Sequence, residues 1–114
     1  MPKRRERVAP PPTSTGWEFG YATSDAVDGW EALCLVAPAN ARVAWDRLTS
    51  DPRQRDSRQH PLRGQLGERV VNGEQLEQWQ YEVTSGGRLW YCIDDRRRTV
   101  WLTDAMPGHP KATE

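Results

Sequence analysis

From Leu76 onward the chain alternates and breaks in a way that predicts three successive strands. Gln78-Trp79-Gln80-Tyr81-Glu82-Val83 alternates polar with apolar residues, the period of a half-buried strand. Thr84-Ser85-Gly86-Gly87 predicts a turn and Arg88 to Asp94 a second strand. Asp95-Arg96-Arg97 predicts another turn, and Arg98 to Ala105 a third strand, before Pro107-Gly108-His109-Pro110-Lys111. Trp79, Tyr81 and Val83 share one face of their strand, and Leu89, Tyr91 and Ile93 share one face of the next. The opposite face carries Gln78, Gln80, Glu82, Arg88, Trp90, Cys92 and Asp94, a mixed polar surface suited to a ligand.

Upstream, Gly16 to Tyr21 alternates and predicts a short first strand. Thr23 or Ser24 suits an N-cap, with Asp25 and Asp28 in the first turn, where carboxylates favour the helix dipole. Ala26, Val27, Trp30, Leu33, Cys34 and Ala37 recur at helical spacing, with Gly29 as a weak point. Pro38 fits the first position of a second helix that runs through Val43, Ala44, Trp45 and Leu48 to Asp51-Pro52. Residues 53–67 predict a polar loop, and 69–75, with Asn72-Gly73, a further loop or short extra hairpin. The expected fold is α+β: a small antiparallel sheet packed against two N-terminal helices.

Composition narrows the picture. At 114 residues, 36% hydrophobic and 28% charged, the chain fits one small domain whose six Trp supply much of the buried area. The division expected is a basic, Pro-rich arm over 1–15, a domain over 16–111 and a tail over 112–114. Cys34 and Cys92 sit in apolar segments without CxxC spacing, which predicts buried thiols. With two His, that spacing matches no zinc-ligand pattern, and the expectation is no metal and no cofactor. No apolar run approaches the roughly 20 residues of a membrane span, which predicts a soluble, cytoplasmic protein with no membrane partner. The 16 basic and 16 acidic residues cancel, so polyanion binding by bulk charge is disfavoured. Locally, basic residues cluster in the arm, from Arg53 to Arg63, and at Arg96-Arg97-Arg98.

The helix pair, Pro61-Leu62-Arg63-Gly64 before the sheet, Arg88-Leu89-Trp90-Tyr91 opening a strand, and a histidine after the last strand together form a pattern. It resembles the RelE/ParE superfamily of bacterial toxins from type II toxin–antitoxin pairs, over most of residues 17–111. The resemblance implies a microbial ribonuclease fold, a cognate antitoxin partner and, in many members, cleavage of mRNA in the ribosomal A site. Members of the ParE branch instead poison DNA gyrase. Locally the chain is most similar to the YoeB-like branch, in which a Glu-Pro-Leu-Lys segment supplies the base. Here His60 stands in place of that Glu, Arg88 matches the strand arginine, and His109 falls at the C-terminal histidine, followed by Pro110 instead of an aromatic residue. Gln80 and Glu82 occupy the positions where RelE carries strand lysines.

Cleavage of RNA by its own 2′-OH needs a base, a cation at the phosphorane oxygens and an acid for the leaving 5′-oxygen. Histidine suits the proton roles near neutral pH, and arginine's planar fork suits the phosphate. The expected catalytic set is therefore His60, Arg88 and His109, with Arg63, Gln80, Glu82, Trp90 and Lys111 contacting RNA. Blander roles stand beside these. His60 also reads as an exposed loop residue, His109 as part of a solvated tail, and Arg88 as the partner of Glu82 across a hairpin. Trp90 also reads as a cap on a secondary core or an antitoxin contact, and the arginine triplet as a charged turn. The function expected is a metal-independent endoribonuclease toxin (an mRNA interferase) acting on ribosome-bound mRNA. The alternatives are a ParE-like gyrase inhibitor and a non-catalytic binding module.

Overall fold

The computed structural model describes residues 16–108. Its elements run β1 (Glu18–Tyr21), α1 (Ser24–Val36), α2 (Pro38–Ser50), β2 (Gln59–Pro61), β3 (Glu68–Val71), β4 (Glu74–Glu82), β5 (Arg88–Asp94) and β6 (Thr99–Met106). A 3₁₀ turn, Gly64–Gly67, precedes β3.

The two helices form where their signals predict. Thr23 is the N-cap of α1, its Oγ1 accepting from Ala26 N at 3.0 Å, and Pro38 opens α2. Gly29, a weak point on propensity alone, is what lets α1 approach the sheet. A Cβ there would stand 1.9 Å from the Ala105 carbonyl oxygen. Ala26, Leu33, Ala44 and Leu48 meet Trp79, Tyr81, Val83, Leu89, Tyr91, Ile93, Val100 and Leu102 in one core, so the predicted helix-facing residues of β4 and β5 are buried together.

The sheet itself corrects the expected fold class. It is mixed and six-stranded, ordered β1-β6-β5-β4-β2, with β3 also on β4, so strands dominate and the sheet is neither small nor all antiparallel. The chain leaves β1 through two helices and returns, strand by strand, until β6 lies alongside β1 in parallel, Glu18 opposite Thr99 and Tyr21 opposite Leu102. Alternation within a strand reports which residues share a face and is silent on which strand lies beside it.

One predicted loop is also structured, and of the two expectations for 69–75 the short hairpin is the one that forms. Within 53–67, β2 pairs antiparallel with β4, Gln59 opposite Tyr81 and His60 opposite Gln80. Its sequence has no apolar alternation; its place is set by side-chain bonds. Asp56 Oδ1 accepts from Arg58 N and Gln59 N, and Gln59 Nε2 donates to the Asp51 carbonyl and to the buried Tyr91 hydroxyl. Within 69–75, Asn72 and Gly73 at positive φ (52° and 81°) close a β3–β4 hairpin, the conformation an Asn-Gly turn favours.

Candidate functional site

The face of the sheet away from the helices was expected to be open. Half of it is a second, polar core. Gln78, Cys92, Asp94 and Thr103 are each 2% exposed or less, because the 3₁₀ turn and the β3–β4 hairpin lie against this side. Gln78 Nε2 donates to the Leu66 carbonyl of the 3₁₀ turn at 2.8 Å, and Thr103 Oγ1 donates to Gln78 Oε1 at 2.6 Å. Asp94 accepts from Arg97 and from Trp101 Nε1. Burial opposes its ionisation, but those hydrogen bonds prevail and hold the carboxyl below the usual range. Cys92 has no such support, and burial pushes its thiol up to about 11, which rules it out as a reactive thiolate near neutral pH.

The uncovered remainder of this face holds the candidate site. One row crosses four strands in register: His60 of β2, Gln80 of β4, Trp90 of β5 and Asp104 of β6. A second row beside it runs Glu82, Arg88 and Met106. All seven are partly exposed. The Trp90 indole is fixed by its Nε1 donating to Gln80 Oε1 at 2.9 Å. Arg88 Nη1 lies 3.3–3.4 Å from the carbonyls of Thr84, Ser85 and Gly87 and 3.8 Å from Glu82 Oε1. These long contacts aim the guanidinium from the β4–β5 turn without saturating its five donors. His60 Nδ1 sits 3.2 Å from the Pro61 carbonyl. Strand spacing separates the His60 and Arg88 backbones by roughly 12 Å, so the two side chains flank a shared surface instead of touching.

Thus His60, Gln80, Glu82, Arg88 and Trp90 are brought to one face, and the predicted Glu82–Arg88 pair forms. Arg63 is exposed at the start of the 3₁₀ turn, outside these two rows. His109 and Lys111 lie outside the described residues; the last described residue, Gly108, packs on Gly86 of the β4–β5 turn. Among the described residues no cluster of His, Cys, Asp or Glu has the arrangement of a metal site. Nor is any described helix long and apolar enough to cross a membrane.

Besides Met106, this surface holds two residues that the sequence pattern does not point to. Asp104 reaches it because β6 carries a bulge. Trp90 pairs with Asp104 but Tyr91 pairs with Leu102, leaving Thr103 as the extra residue. Strict alternation would put Asp104 beside Leu102, facing the helices. Arg69 arrives from β3, its Nη1 3.7 Å from Asp104 Oδ2 across the sheet face. The Asn-Gly turn was a usable signal for that hairpin; nothing local signals that it bends over the sheet. The chain's 16 basic and 16 acidic side chains cancel, so attraction for a polyanion rests on local groups such as Arg69. Comparison with known proteins finds no protein-family profile that matches this chain and no curated protein significantly similar to it.

Proposed function

We propose that this chain is a metal-independent endoribonuclease of the toxin type, acting on single-stranded mRNA at the ribosome and held in check by a cognate antitoxin. The observation that carries the reading is the cross-strand row His60–Gln80–Trp90 with Arg88 in the adjacent row, on one accessible face. It joins a proton carrier, a stacking surface and a phosphate-binding fork. The likeness of Arg88-Leu89-Trp90-Tyr91, now the first four residues of β5, to RelE/ParE toxins supports the same choice and contributes the antitoxin and the ribosome.

In this reading a base stacks on Trp90, whose ring is already oriented by Gln80. His60 takes the proton of the 2′-OH as that oxygen bonds to phosphorus. Arg88 neutralises the charge that builds on the phosphorane oxygens, in bidentate fashion. The P–O5′ bond then breaks, giving a 2′,3′-cyclic phosphate and a 5′-hydroxyl. The proton for that leaving oxygen is the role assigned to His109, which falls outside the described residues.

A second reading, binding without cleavage, is favoured by Glu82. This carboxylate stands 3.8 Å from Arg88, where a phosphate would have to lie. Tightly controlled expression with primer-extension mapping of mRNA separates the two. Growth arrest with discrete cuts is expected for the wild type, and a fall of about 10²–10⁴-fold in cutting for His60→Ala, the range for losing a general base. Arg88→Ala should abolish the cuts as well. Arrest with intact mRNA would point to gyrase inhibition, and absence of arrest to the binding module.

A further inference from the structure

We propose that Arg69 is a phosphate-binding residue of this surface, parked on Asp104 in the free protein and transferred to the nucleic-acid backbone on binding. The proposal rests on the RNA reading above and extends it to residues of the β3 hairpin. Three features carry it. The first is position: Asp104 pairs directly with Trp90 in the sheet, and Arg69 of β3 is the cation paired with Asp104. Its guanidinium thus stands at the margin of the surface on which a base would stack.

The second feature is looseness. At 3.7 Å the contact is an ion pair without hydrogen-bond geometry, and its side chains are 39% and 36% exposed. Such a pair holds little energy and is readily exchanged. Arg53 is engaged differently, with bonds of 2.7–3.2 Å to both Glu77 and Asp95. Arg69 has kept its donors available by comparison.

The third is chemistry. A guanidinium fork bonds two phosphate oxygens at once and gains more from that than from a distant single carboxylate oxygen. Asp104 then acts as a competitor, and its removal should help binding. A structural ion pair makes no such demand, so the two partners should have effects of opposite sign.

The test is fluorescence anisotropy with a labelled, uncleavable 2′-O-methyl hexanucleotide, titrated at several salt concentrations. Arg69→Ala should weaken binding severalfold and lower the salt slope by about 0.7, the value for one phosphate contact on a single strand. Asp104→Asn should tighten binding severalfold, and that gain should shrink in the double variant. Unchanged affinity and slope in Arg69→Ala would overturn the proposal while leaving the RNA reading intact. So would an Asp104→Asn variant that binds no tighter, a result that decides the matter even if Arg69→Ala fails to fold. A wild-type protein that binds no oligonucleotide would overturn both, since the RNA reading itself would then have failed.

Discussion

The two faces of the central sheet are built on different physical terms, and neighbouring residues of β6 show the contrast. Leu102 and Thr103 are both buried, at 0% and 1% exposure, on opposite sides. Leu102 packs among Leu89, Tyr91, Val100 and the helices, where stabilisation scales with apolar area and depends little on direction. Thr103 lies on the side of Gln78, Cys92 and Asp94, where stability comes from a chain of hydrogen bonds running from the Leu66 carbonyl through Gln78 to Thr103 and on toward the Trp90 carbonyl. Such bonds add little net free energy each, but they fix angles. The apolar face holds the domain together, and the polar face sets where Trp90, Gln80 and Asp104 stand.

The contrast breaks most visibly at Leu102. Leu102→Ala should cost about 2–5 kcal/mol, the range for emptying a closed aliphatic site, read as a lower urea midpoint with an unchanged slope. Oligonucleotide affinity, measured where the variant is still folded, should hold. Thr103→Val keeps the shape and strands the Gln78 carbonyl, so it should cost less, about 1–3 kcal/mol, yet disturb oligonucleotide binding more. A reversal of that order of binding effects would mean that the polar face does not set the geometry of the site.

A smaller effect is expected at the rim, where Arg53 joins the 51–58 segment to β4 and to the β5–β6 turn through Glu77 and Asp95. Hydrogen bonds from Arg53 hold both carboxyls below their usual range. Depressed carboxylate pKa values contribute stability that is present above the unfolded values near pH 4 and lost as pH falls through the folded ones. Arg53→Ala should therefore cost no more than about 1 kcal/mol at pH 7 for such exposed groups. The difference from wild type should be smaller at a second, acid pH, where protonation releases the carboxyls from Arg53. Urea unfolding at the two pH values checks it, and a difference undiminished in acid would assign the loss to packing.

The residues of the candidate site were legible to different degrees. Gln80, Glu82, Arg88 and Trp90 fell on the correct face because β4 and β5 alternate cleanly there. His60 was singled out as a histidine in a loop, and its pairing with Gln80 came only with β2, a strand whose polar sequence forms through Asp56, Gln59 and Tyr91. Arg69 and Asp104 were missed because a bent hairpin and a one-residue bulge placed them, and neither follows from periodicity.

By itself the sequence determined the local elements: both helices with their Thr23 and Pro38 starts, the β4 to β6 succession, its turns, and the apolar face that meets the helices. These depend on side-chain spacing and on contacts close along the chain. Tertiary structure alone decided the parallel pairing of β1 with β6, the pairing of β2, the fold-over of β3 and the bulge at Thr103. Those choices join backbone groups far apart in sequence. Every strand offers the same N–H and C=O groups along both edges, so the partner is chosen by the packing of the whole domain.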